Sequence, residues 1–198
     1  ILSQQNGAVW LNLLPGQSCF LTVEPGPVRT TSRGRRGQNM TTAQPLTGPW
    51  QVQFGEGRPA LRVSATLPTL RSWTTLSDSA GYFWGTVRYT TTFDRPADFA
   101  PGQPYWLDLG DVREVAEVRL NGQAIGTAWC IPFRLAVPAG LLRDTGNVLA
   151  VDVTNLSANY MRLRDGQKPD WKKFYDANIV DIRYRPFDAT RWESMPSG

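Results

Sequence analysis

LDLGDVREVAEVRLNGQAIGTAWCIPFRLAV, residues 107–137, decides the fold. Within it Ala116, Val118 and Leu120 alternate with Glu117 and Arg119, the period of a strand with one buried and one wet face. Asn121-Gly122 follows directly. That pair tolerates the positive φ angles of a tight two-residue turn, so it predicts a hairpin. Phe133, Leu135 and Val137 then alternate with Arg134 and Ala136.

The same period extends outward in both directions. Val87, Tyr89, Thr91 and Phe93 share a face, opposite Thr86, Arg88, Thr90 and Thr92. Tyr105, Leu107 and Leu109 alternate with Trp106 and Asp108, and Leu149, Val151 and Val153 with Ala150, Asp152 and Thr154. Shorter runs occur at 50–54, 61–65 and 180–184. One apolar face per strand, with turns roughly every ten residues, predicts an all-β chain: an antiparallel β-sandwich of two sheets packed face to face. No long stretch holds a 3.6-residue period, so helices are expected as short turns only, near residues 139–143. Residues 155–178 break the rhythm and read as a long connection, the kind of segment that carries function on a rigid sandwich.

Toward the N-terminus, AVWLNLL (8–14) and SCFLTV (18–23) read as two strands joined at Pro15-Gly16. About twenty residues with almost no apolar content follow. The expected division is therefore terminal strands of a preceding β-sandwich unit over 1–28, a basic flexible linker over 29–46, and the main sandwich over 47–198. Of the net charge of +4, +3 sits in residues 1–46, where Arg29, Arg33, Arg35 and Arg36 of the linker are offset only by Glu24 before it. No aromatic residue is interleaved for base stacking, so the arm reads as solvated chain and no nucleic-acid partner is expected. No apolar run is long enough for a membrane-spanning helix, and no membrane partner is expected.

The 198 residues include no histidine, which removes Ser-His-Asp and Cys-His catalysis and imidazole-ligated metal sites. Cys19 and Cys130 alone do not build a zinc site. Their spacing leaves a bridge between them open, and unpaired thiols in separate apolar strands are the plainer expectation. Glycoside hydrolysis needs two carboxyl groups facing one sugar. Glu114 and Glu117, three apart on a strand, point to opposite faces, and no aspartate pair stands out. Asp165, Asp170 and Asp176 match no EF-hand spacing; loop oxygens leave a structural calcium open, and no cofactor is required.

The 22 aromatic residues, eight of them tryptophan, are the strongest functional signal. A sugar offers an apolar C–H face edged by hydroxyls, which a flat ring and nearby amide or guanidinium groups can grip. Trp73, Tyr82, Trp84, Trp129, Tyr160 and Trp171 are the candidate rings, and Asn155, Asn159 and Arg162 the polar partners. The competing reading of each ring is core packing. No catalytic residue is assigned.

AGYFWGTVRYTTTF (80–93), the 107–137 run with its Leu-Asn-Gly turn, Gly126 and Pro132-Phe133, and NVLAVDVTN (147–155) together resemble the galactose-binding-like jelly roll. This is the accessory sandwich of family 2 β-glycosidases and of many carbohydrate-binding modules. RLRDGQKPDWKKFYDANIVDIRYRPFDATRWESMPSG (162–198) resembles the C-terminal end of glycoside hydrolase family 106, the α-L-rhamnosidases. Residues 8–23, with LLPGQSCFLTV (13–23), resemble the closing strands of the sandwich that precedes it in those enzymes. The resemblance implies a non-catalytic carbohydrate-binding domain, with acid and base on a separate (β/α)₈ barrel of the same parent chain. It also implies a secreted or periplasmic setting and rhamnose-containing pectic glycans as targets. In the family 2 sandwich the segment after the Leu-Asn-Gly hairpin lies near sugar. Here that is residues 126–133, which brings Trp129 forward, although a polar residue is usual at that position and a tryptophan there equally suits packing against a neighbouring domain. The second reading is accordingly a sandwich that buttresses the barrel without binding sugar.

Overall fold

A computed structural model of the chain describes residues 2–5, 8–11, 13, 16, 18–20, 43–100, 102–167 and 188–198. Ten strands lie among them: β1 (Leu2–Gln5), β2 (Ala8–Leu11), β3 (Trp50–Arg58), β4 (Ser64–Leu67), β5 (Trp84–Phe93), β6 (Tyr105–Asp108), β7 (Val115–Leu120), β8 (Gln123–Ala128), β9 (Arg134–Val137) and β10 (Asn147–Thr154). Two short helices join them, α1 (Asp78–Gly81) and α2 (Ala158–Gly166). None is long and apolar enough to cross a membrane.

The architecture is the expected all-β sandwich. One layer is a six-stranded antiparallel sheet in the order β4-β3-β5-β10-β7-β8, and β6 pairs with β9 in a second, smaller sheet. The alternation read from sequence is the burial pattern. Val52, Phe54, Val87, Tyr89, Ala116, Val118, Leu149, Val151 and Val153 form the inner face, and Leu107, Leu109, Phe133 and Leu135 close over it. Asn121 and Gly122 both take positive φ, making the β7–β8 hairpin. At the same end of the sheet Asn147, fully buried, uses its whole amide. Its Oδ1 accepts from Asn121 Nδ2 and the Arg143 N–H, and its Nδ2 donates to the Phe93 and Arg143 carbonyls.

Several expectations are corrected. Ala8–Leu11 pairs with Leu2–Gln5, not with residues 18–23; Ser18–Phe20 form no strand, and 21–23 lie outside the described residues. Residues 139–143 hold no helix, whereas the supposed connection after Asn155 contains α2. Cys19 and Cys130 are free and exposed, and neither is in a strand. The second strand of the first hairpin of the main body runs over Ser64–Leu67, a shift of two to three residues from 61–65. The 180–184 run and most of the 29–46 linker lie outside the described residues.

Candidate functional site

Strand register gathers the candidate residues at one rim. Phe54 faces Val87, Val87 faces Val153, Val153 faces Ala116, and Ala116 faces Ala128. The start of β5, the end of β10, the start of β7 and the end of β8 therefore share an edge, opposite the Asn121-Gly122 turn. Trp84 opens β5, Asn155 follows β10, Glu114 precedes β7 and Trp129 follows β8. Three interstrand steps separate β5 from β8, about 14 Å, so Trp84 and Trp129 do not clasp one sugar ring between them.

The middle of the rim is occupied by the chain's own residues 195–198. The Ser197 carbonyl accepts from the Trp73 N–H and from Ser72 Oγ, while the Ser197 N–H donates back to Ser72 Oγ. The Arg113 N–H donates to the Gly198 carbonyl. Asn155, 6% exposed, accepts from the Gly85 N–H and donates to the Phe83 carbonyl and Ser197 Oγ. Asn159, also buried, mimics a backbone pair: its Nδ2 donates to the Met195 carbonyl and its Oδ1 accepts from the Met195 N–H. The cleft left among Glu114, Asn155, Asn159, Met195 and Ser197 measures about 10 Å³, room for at most one water. Asn155 and Asn159 thus hold the tail and helix α2 to the sandwich; their amides are spent within the fold.

Trp73 is corrected outright. It is 0% exposed and packs edge-on against Phe54 and Phe83, with centroids 6.2 Å from each. A wholly enclosed ring offers no platform to a sugar. Trp171 lies outside the described residues.

The remaining candidates meet on the β5 flank. Trp84 is 41% exposed, and its ring lies 6.1 Å from that of Tyr160 on α2, tilted by 32°. Two residues further along α2, on another side of the helix, the Arg162 guanidinium sits 5.4 Å over the Tyr82 ring and donates to the Trp192 carbonyl. An open groove of about 430 Å³ is lined by Tyr82, Arg162, Leu163, Gly166, Gln167 and Thr190. Helix α2 has no broad apolar stripe. It is fixed instead by Asn159 and by buried Asp165, whose carboxylate accepts the Ala189 N–H. Sequence periodicity is blind to such an anchor, which explains why the helix went unread. Leu163, Gln167 and Thr190 carry no sequence signal for a site, since an isolated aliphatic or uncharged polar residue becomes part of a wall only through α2 and the 3-10 turn over Ala189–Arg191.

On the β8 flank, Trp129 is 71% and Ile131 58% exposed, making an apolar tip, with Gly16 packed close against Ile131. Glu114 is half-buried and Glu117 exposed on the sheet face, so they do not form a facing pair. Among the described residues no cluster of three or more Cys, Asp or Glu side chains is arranged for a metal. Asp170 and Asp176 lie outside the described residues.

No family model matches the chain. A rhamnosidase structure from Novosphingobium sp. PP1Y is 28% identical with a TM-score of 0.58, over 83% of this chain and 15% of that one. A protein named "Putative beta-glucuronidase" from Formosa agariphila is 33% identical over 168 residues, 80% of this chain and 14% of that protein. A β-glucuronidase structure from Ruminococcus gnavus is 21% identical with a TM-score of 0.46, over 57% of this chain and 22% of that one. The proteins resembled are glycoside hydrolases, and the chain spans about one seventh of the length of the first two.

Proposed function

We propose that this chain is a carbohydrate-binding sandwich that works as a non-catalytic part of a larger glycoside hydrolase. The carrying observation is the groove on the β5 flank, where the Tyr82 ring and the Arg162 and Gln167 side chains line one opening. A saccharide laid there meets the Tyr82 ring for its C–H surface and polar tips for its edge. The similarity to part of a rhamnosidase supports a rhamnosidase-like parent; that it is an α-L-rhamnosidase acting outside the cytoplasm on rhamnose-containing pectic glycans, with proton-transfer groups supplied by another domain, is our reading from the sequence resemblance.

Shallow sites of this kind bind at about micromolar to millimolar Kd, roughly −8 to −4 kcal/mol. Titration with rhamnose, galactose and pectic oligosaccharides, read by tryptophan fluorescence and by heat, tests the proposal. Silence across a broad glycan panel refutes it. A second reading is favoured by the β8 flank: the exposed Trp129 ring, next to Ile131 against which Gly16 packs, suits burial against a neighbouring domain, which would make this flank a buttress.

A further inference from the structure

We infer that the groove between Tyr82 and α2 selects an anionic sugar, one bearing a carboxylate or a sulfate ester, and that Arg162 reads the charge; the inference rests on the carbohydrate-binding reading above. Among the described residues the groove is lined by one cation and no carboxylate. A guanidinium has five N–H donors, and among the described residues Arg162 commits one hydrogen bond, to the Trp192 carbonyl. No carboxylate among the described residues pairs with it. The Tyr82 ring beneath it holds the guanidinium plane in place without consuming a donor.

The other groups point the same way. Gln167 accepts from Arg164 Nη1 through Oε1, which leaves its NH₂ as the free end. Nearby carboxylates are turned to other work. Asp165 accepts the Ala189 N–H inside the fold, and Asp188 holds the Thr190 N–H and hydroxyl and faces Arg191. A neutral sugar edge, made of hydroxyls, calls for donors and acceptors together. This wall offers chiefly donors, and a planar fork matches a carboxylate or sulfate oxygen pair.

The test is calorimetric titration of the 198-residue chain with four probes: tetragalacturonate, the same tetramer fully methyl-esterified, a sulfated galactan tetrasaccharide, and its desulfated form. We expect at least one charged probe to bind about tenfold or more tighter than its neutral partner, and the two pairs distinguish carboxylate from sulfate. Arg162→Gln should erase that difference and Arg162→Lys retain part of it, with melting curves reporting whether each variant is folded. The probe comparison on the unaltered chain stands even if a variant fails to fold. Equal affinity within both pairs overturns the inference while leaving carbohydrate binding intact. No heat with any of the four overturns the inference, and silence across the broader panel as well removes the reading beneath it.

Discussion

Replacing Asn155 with alanine separates a structural role from a ligand-binding one. Its amide satisfies the Gly85 N–H, the Phe83 carbonyl and Ser197 Oγ at 3.1, 2.9 and 3.1 Å. The serine hydroxyl can rotate toward another partner, but the two main-chain groups are fixed at the entrance to β5. Leaving a buried polar group unpaired costs about 1–3 kcal/mol. Two such groups, with partial hydration at the rim, give a destabilisation of about 3 kcal/mol for Asn155→Ala. For a chain of this size that lowers Tm by roughly 6–12 °C. Thermal and urea denaturation followed by circular dichroism measure it. Asn155→Asp keeps the acceptor for Gly85 but loses both donors and buries a charge, so it should also destabilise strongly. An Asn155→Ala protein that melts within about 2 °C of the parent while losing glycan affinity would refute this assignment and return Asn155 to the ligand.

Three further outcomes are expected. Trp73→Ala should cost about 3–5 kcal/mol, because it empties the centre of the Phe54–Trp73–Phe83 cluster; a melt close to the parent's would contradict the buried placement. Trp129→Ala should leave Tm unchanged, since the ring is mostly in solvent; a fall of several degrees would mean that the tip packs within this chain. At Asp108, burial pushes the carboxyl pKa up, but the Gly110 N–H and the Arg134 guanidinium outweigh it and hold it below its ordinary value. A depressed folded pKa stabilises above the unfolded value and is lost as pH falls through the folded one. Asp108→Asn should therefore be less stable at pH 7 by a modest amount, about 0.2–1 kcal/mol for so exposed a pair; the gap should close below about pH 4, and a gap that widens in acid would reverse the reasoning.

The sandwich was legible because its strands obey a simple rule: inward residues are apolar, outward ones are not, and Asn121-Gly122 marks a turn. The site was legible only in its residue types. Trp73 and Trp84 look alike in sequence, yet one opens the 3-10 turn Trp73–Thr75 and packs against Phe54, and the other opens a strand at the rim. Asn155 and Asn159 read as sugar ligands because amides suit hydroxyls. They suit backbone groups equally well, and the tail at 195–198 reaches them first. No local pattern announces that contact, since Ser72 and Ser197 are 125 residues apart.

The tail changes what the rim can do. With residues 195–198 bonded to Ser72, Trp73, Arg113, Asn155 and Asn159, the centre is closed, and the rim is left with two flanks of different chemistry. The β5 flank is aromatic and donor-rich, suited to a hydrophilic ligand that keeps part of its hydration. The β8 flank presents the exposed apolar side chains of Trp129 and Ile131, suited to a dry protein contact. The two readings drawn from sequence, sugar binding and buttressing, therefore need not compete for the same residues. Arg162→Gln and Trp129→Ala should act independently, since sites more than about 7–10 Å apart with no shared partners behave additively. A double variant whose glycan affinity differs from that of Arg162→Gln alone, with Trp129→Ala neutral by itself, would show that the flanks form one continuous site.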